Sequence, residues 1–283
     1  MRISTSDVQR GHAAAVQADG SVIVAGRVAS CSRVAVNTLV YRLTSAGQPD
    51  PTFAGDAVVD SQAISAVDVA LQPDGKALVL VDSFVGVATS PAHDDAFTVV
   101  RYDTAGHADP GFGTGGVALA LFGSGSNATP RAVALQGDRI VAVGGLADDS
   151  AVARFTPGGI PDGSFDGDGL LVADLGGVDF LAAAAVQPDA KVVAAGRSGP
   201  DVAVVRIGTA GTPGTEPPTT LTPPTTREPA DHRGPADGGE PVRLRLRPPP
   251  PAGGAAVPRV RAGSAAAVRL SRLRATGFGP ARR

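Results

Sequence analysis

Up to residue 211, short and nearly unbroken apolar runs alternate with polar punctuation rich in glycine and proline. ALVLV (77–81), VVRY (99–102), IVAVGG (140–145) and VVAAG (192–196) are typical runs. They are too short for ordinary helices and rich in β-branched residues, which predicts β-strands. Because polar residues do not alternate within them, the strands are expected to be covered on both faces, unlike a sheet with one wet side. In one unit the pattern predicts four strands, named A to D here: Ala66–Leu71, Lys76–Val81, Ala96–Tyr102 and Gly116–Leu121.

The punctuation repeats. One phrase occurs as AVQADGS (15–21), ALQPDGK (70–76), ALQGDRI (134–140) and AVQPDAK (185–191). It sets Gln17, Gln72, Gln136 and Gln187 at spacings of 55, 64 and 51 residues. A second phrase alternates with it: YRLTSAGQPDPTF (41–53), VRYDTAGHADPGF (100–112), ARFTPGGIPDGSF (153–165) and a decayed VRIGTAGTPGT (205–215). Here Arg42, Arg101, Arg154 and Arg206 each precede a glycine by five residues: Gly47, Gly106, Gly159 and Gly211. Three copies then reach a phenylalanine, at Phe53, Phe112 and Phe165. Two linked phrases in one order, four times over, mark a repeat architecture.

Four strands in roughly 50–60 residues, with both sheet faces buried, predict an all-β fold: a β-propeller of about four four-stranded blades, each stacked between neighbours. The phrase QPDG then reads as a type I turn closing the A–B hairpin. Proline presets φ, Asp19, Asp74, Asp138 and Asp189 suit the next position, and Gly20 and Gly75 take the left-handed one. Arg139 and Ala190 stand where that glycine is missing. A side chain there costs roughly 1–2 kcal/mol, so weaker or reshaped turns are expected.

Strands A, B and C recur four times, D only three times before residue 212. Arg2–Ser6 stands where a D strand would, and is expected to complete the fourth blade. The competing reading is a fragment of a larger ring. Because strand direction alternates, the A–B and C–D turns share one face of the ring, and the B–C and D–A loops share the other. The Gln-to-Arg separation is 25, 29, 18 and 19 residues, so the long loops are B–C at Val28–Val36 and Asp82–Asp95, with D–A at Phe122–Pro130. Variable loops on one face of a repeat array are the usual binding surface. A protein or glycan ligand is expected there.

The two phrases in register resemble the delta-60 repeat, a bacterial repeat regarded as propeller-forming. The resemblance covers about residues 1–215 and departs at Arg139, Ala190, Asp166–Gly169 and the missing phenylalanine of the fourth unit. It implies propeller packing, an extracellular or cell-surface setting, and no known catalytic residues.

Composition adds four points. Hydrophobic residues make up 43% of 283 but aromatics only 4%, with no tryptophan, so the core must be built from valine, alanine, leucine and isoleucine. The single cysteine, Cys31, excludes an intramolecular disulfide and zinc sites built on several cysteines. The net charge of −2 hides an asymmetry: 13 basic and 22 acidic residues (−9) in 1–211, against 12 and 5 (+7) in 212–283. Two lysines against 23 arginines suggest a GC-rich genome. The organisation expected is therefore a repeat propeller over 1–211, a Pro/Thr-rich linker over 212–241, and an Arg/Pro/Ala-rich disordered tail over 242–283. Without aromatics or a fold, the tail is a poor nucleic-acid ligand. No secretory leader and no membrane-spanning run are expected from this sequence.

Candidate chemistry is sparse. Asp162, Asp166 and Asp168 in PDGSFDGDG have the alternating carboxylates that suit calcium. The equivalent stretches PDPTFAGDA and ADPGFGTGG are mostly not acidic, which favours a turn. GFGTGG (111–116) fits a dinucleotide fingerprint formally, but a strand follows where a helix is required. His12, His93, His107 and His232 lack ligand spacing, and Cys31 has no matched histidine. Asp94, Asp95, Asp148, Asp149 and Asp201 precede strand C and read as turn or capping groups. The four repeated arginines read as structural donors to the following turn, ahead of an anion-binding ring. No catalytic residue, metal or cofactor is assigned. The expected role is a non-catalytic scaffold or binding module, with a propeller enzyme acting on glycans, or a fragment of a larger repeat protein, as the alternatives.

Overall fold

A computed structural model describes residues 8–29, 36–54, 58–60, 65–82, 96–123 and 126–211. Four antiparallel sheets follow one another along the chain. The first holds β1 (Val8–Val16), β2 (Val22–Ala29), β3 (Val36–Leu43) and β4 (Val58–Asp60). The second holds β5 (Ala66–Leu71), β6 (Ala77–Val81), β7 (Ala96–Tyr102) and β8 (Val117–Leu121). The third holds β9 (Ala128–Gln136), β10 (Arg139–Leu146), β11 (Asp149–Phe155) and β12 (Leu170–Ala173). The fourth holds β13 (Asp179–Val186), β14 (Val192–Ser198) and β15 (Asp201–Ile207). Within each sheet the strands lie in chain order, so every blade is a simple meander. The fold is all-β and propeller-like.

The blades stack in sequence through three apolar cores. Ile23, Ala25 and Val40 meet Val69, Val79 and Val100 between the first and second blades. Leu78, Leu80 and Val99 meet Val133, Ile140, Ala142 and Ala153 between the second and third. Val141, Val143 and Val152 meet Val192, Ala194 and Val205 between the third and fourth. Alternate residues of one strand thus feed two different cores, as the pleat requires. This is why β6 is buried along its whole length and β10 along all but its first residue.

The expectation that every blade is covered on both faces holds for the second and third blades and fails for the end blades. Val16 is 70% exposed in the first and Val202 48% exposed in the fourth. The reason is positional: among the described residues no core joins the fourth blade to the first. The fourth blade has three strands among these residues, and Arg2–Ser6 lies outside them. The linker and tail also lie outside.

The first strands of successive blades, β1, β5, β9 and β13, pack beside one another. All four carry a bulge at the same place against their B strand: between Gly11 and Ala13, Ala66 and Asp68, Pro130 and Ala132, and Leu181 and Ala183. A bulge re-aims a side chain. His12, the extra residue of β1, bonds through Nδ1 to the Ala66 carbonyl of β5 at 2.7 Å. Arg131, skipped in the β9–β10 register, lies over the Phe180 ring of β13 at 4.7 Å.

Two turns depart from the repeat in different ways. Gly20 and Gly75 hold φ of 83° and 84°, and Ala190 holds 62° at the same point of the fourth hairpin. Ala190→Gly is therefore expected to raise stability by about 0.5–1 kcal/mol, read from the urea midpoint. The third hairpin is instead shorter. Gln136 pairs directly with Arg139, and Gly137 takes the positive φ of 65° in a two-residue turn. Arg139 is thus a strand residue without left-handed strain, contrary to the expectation from alignment.

Candidate functional site

The repeated polar residues converge on the blade boundaries. Arg42, Arg101 and Arg154 end their C strands, and each pairs with an aspartate eight residues on: Asp50 at 2.7 Å, Asp109 at 2.9 Å and Asp162 at 2.9 Å. The tight turn after the C strand brings the carboxylate back beside the guanidinium. Each guanidinium also covers a phenylalanine of its own unit: Phe53 at 5.1 Å, Phe112 at 4.4 Å and Phe165 at 4.7 Å. Each then reaches the next blade. Arg42 Nη1 donates to the Thr104 carbonyl at 2.8 Å, Arg101 Nη1 to Pro157 at 2.8 Å, and Arg154 Nη1 to Thr209.

The backbone adds a second hook. The amide after each phenylalanine donates to the residue before the next blade's signature glycine: Ala54 to Ala105 at 2.7 Å, Gly113 to Gly158 at 2.7 Å and Asp166 to Ala210 at 2.9 Å. All three hooking residues have positive φ, at 50°, 52° and 50°. Gly106, Gly159 and Gly211 lie against Phe53, Phe112 and Phe165 of the preceding blade, so close that a Cβ would collide. Arg, Asp, Phe and Gly thus form one latch, closed three times.

The A–B hairpins lie on the same side. Lys76 Nζ reaches Asp109 at 2.9 Å, and Arg139 Nε reaches Asp162 at 2.7 Å. The shortened third hairpin therefore still delivers a cation to its carboxylate. The signature glutamines bridge blades: Gln17 Nε2 donates to the Gly75 carbonyl at 3.2 Å and Gln136 Nε2 to Ala190 at 2.6 Å. Gln72 precedes the blade with the shortened hairpin, and its Oε1 is buried without a partner. Asp19, Asp74 and Asp189 accept the amides of Ser21, Lys76 and Lys191 in their own turns. Asp138 contacts Arg139 at 3.3 Å. Arg206 and Gly211 hold the equivalent places in the fourth blade, and Gly47 in the first.

The three weak metal candidates separate. Asp162 is 5% exposed and bound by Arg154, Arg139 and the Ser164 hydroxyl. Asp166 is occupied through its amide in the hook, and burial together with the Asp168 charge pushes its carboxyl up to about 6. Asp168 accepts the Leu170 amide at 2.9 Å. Among the described residues no three His, Cys, Asp or Glu side chains group as metal ligands. Cys31, His93, Asp94, Asp95 and His232 lie outside the described residues.

Burial alone would raise Asp162, but the bonds from Ser164 and Arg139 and the Arg154 charge outweigh it and hold the carboxyl down at about 2. A carboxyl depressed in the fold contributes stability above its unfolded pKa, and loses it as pH falls through the folded one. Asp162 is expected to contribute about 2 kcal/mol at neutral pH, lost between about pH 4 and pH 2. Asp162→Asn should flatten that part of the stability–pH curve, as chemical denaturation across the range would measure.

Asp50 and Asp109 were legible in the repeat, since an aspartate recurs eight residues past the arginine. Two other carboxylates, one half-buried and one buried, were not. Asp68 accepts the Val133 amide of the third blade at 2.8 Å. Asp179 is 1% exposed and accepts the Leu175 amide at 2.6 Å. Burial raises both carboxyls. Each occurs once and carries no repeat signal.

No curated protein matches the chain. A family model described as a domain of unknown function (DUF5122) beta-propeller matches residues 17–53. That segment runs from the first signature glutamine through the first latch phenylalanine, so the first blade carries a propeller repeat of the DUF5122, or delta-60, family.

Proposed function

We propose that the chain is a non-catalytic scaffold or binding module that presents its B–C and D–A loops to a protein or glycan ligand at the cell surface. One observation supports this above the rest: the recurrent arginines and glutamines each reach into the next blade. Arg42, Arg101 and Arg154 bind neighbouring turns, while Gln17 and Gln136 bind neighbouring hairpins. Such latches supply rigidity and leave ligand choice to the loops of the opposite face. The glycan-enzyme alternative needs carboxyls from different blades to converge. Asp68 and Asp179 are instead each bonded to backbone amides.

The test is a glycan array and a peptide array probed with the full chain, followed by product analysis of every bound glycan. Binding without turnover, lost on shortening the 82–95 loop, is the expected result. Hydrolysis of a bound glycan would overturn the reading.

A further inference from the structure

We propose that the fourth blade docks onto the first blade of a second copy of this chain, head to tail, repeating the contact that joins consecutive blades within it. The face that the second blade turns to the first is built from Val69, Leu71, Ala77, Val79, Val100 and Tyr102. The fourth blade turns Ala184, Val186, Val192, Ala194, Val205 and Ile207 to the third. The same six positions in the first blade are Ala14, Val16, Val22, Val24, Tyr41 and Leu43. All are apolar, and among the described residues all are exposed or half-buried.

The opposite end shows the complementary face. The positions that carry Ile23, Ala25 and Val40 in the first blade, and Leu78, Leu80 and Val99 in the second, carry Val193, Ala195 and Val204 in the fourth. These are half-buried, beside the exposed Ala183 and Ala185. One end thus displays the face that each blade offers its successor, and the other the face that each offers its predecessor. A second copy supplies what each face lacks.

A polar group points the same way. Gln17 and Gln136 each donate to the carbonyl at one fixed point of the following hairpin, Gly75 and Ala190. Gln187 occupies that donor position in the fourth blade, so its amide Nε2 is the group that would reach a following hairpin. The matching acceptor on a following first blade is the Gly20 carbonyl. The contact is heterologous, so it either closes a ring or continues as a filament. Two copies bring together eight blades, at the upper end of the roughly 4–8 that propellers use.

The test is sedimentation velocity on the full chain over a roughly hundredfold concentration range. Reversible, concentration-dependent association is expected. Val24→Arg and Val193→Arg each place an unpaired charge at one half of the contact and should weaken association roughly 100-fold or more. Circular dichroism should report an unchanged fold, because both side chains lie outside the three cores; Val16→Glu and Val202→Glu, at more exposed sites, repeat the test if either arginine variant misfolds. Mixed in equal amounts, the two arginine variants should recover association up to a single contact, since one retains a free head and the other a free tail. Gln187→Ala should weaken association about tenfold. A monomer at every concentration would overturn the proposal, as would association that survives both arginine variants, which would place the contact elsewhere on the chain.

Discussion

Arg154→Ala is expected to lower stability by about 3–5 kcal/mol, because it removes the buried partner of Asp162 and leaves that carboxylate only partly compensated. The side chain is 3% exposed and ties four groups together: Asp162, Ser164 and Gln136 in its own blade, and the Thr209 carbonyl in the next. It also lies over Phe165, a contact worth about 1 kcal/mol. Truncation leaves Asp162 with Arg139, which is half in solvent and cannot replace the buried fork. A fall in melting temperature of roughly 10 °C should accompany the loss.

Two comparisons isolate the cause. Arg42→Ala, at a latch where the side chain is 14% exposed, should cost less than half as much. Arg154→Lys keeps the charge but not the planar fork, so it should recover only part of the loss. If Arg154→Ala and Arg42→Ala cost the same, burial of the latch is not what gives it strength.

The blade count and the four-strand unit were legible because they rest on local signals: apolar runs with turn residues between them. The fold follows from such signals when every level agrees. What the latch joins was less legible. Arg42, Arg101 and Arg154 recur with Asp50, Asp109 and Asp162 at a constant offset, which shows within one unit. Their carbonyl partners lie 55 to 62 residues away, one repeat further on. In a chain of similar units, a contact inside one repeat and the same contact to the next leave one and the same sequence pattern. The glutamines were misleading for the same reason. Gln17 lies in a turn, which its local phrase shows, but it serves the next turn, which that phrase cannot show.

The hidden faces pose the converse problem. VIVAG in the first blade and VVAAG in the fourth look as apolar as ALVLV in the second, yet among the described residues one side of each end blade is open. The apolar pattern reports what a strand is suited to cover, and a neighbour must be present to cover it. Asp68 and Asp179 were illegible altogether. A carboxylate that caps backbone amides at a blade boundary answers to local geometry, and nothing elsewhere in the chain repeats it. Arg139 shows geometry overriding alignment: the hairpin lost its extra residues, yet the strand start still carries a cation to Asp162.

Gly159→Ala should lower stability by about 3–4 kcal/mol, and Gly47→Ala by about 1–2 kcal/mol, although the two glycines hold the same place in the repeat. Both have left-handed backbone, with φ of 80° and 75°, so both substitutions carry the same conformational cost. Their surroundings differ. A Cβ on Gly159 would stand 2.7 Å from the Gly113 amide nitrogen and 2.8 Å from the Phe112 ring, whereas one on Gly47 meets nothing within 4 Å. Gly113 is itself fixed, because its amide donates to the Gly158 carbonyl at 2.7 Å. The added methyl must therefore push the second and third blades apart at the latch. Phe112→Leu in the Gly159→Ala background removes part of the ring and should restore some of the loss, while in the wild type it should only destabilise. That reversal of sign in a double-mutant cycle is the signature of a blade-to-blade contact. Equal losses at Gly159 and Gly47 would reduce the repeated glycine to a turn residue and leave Phe112 as ordinary core.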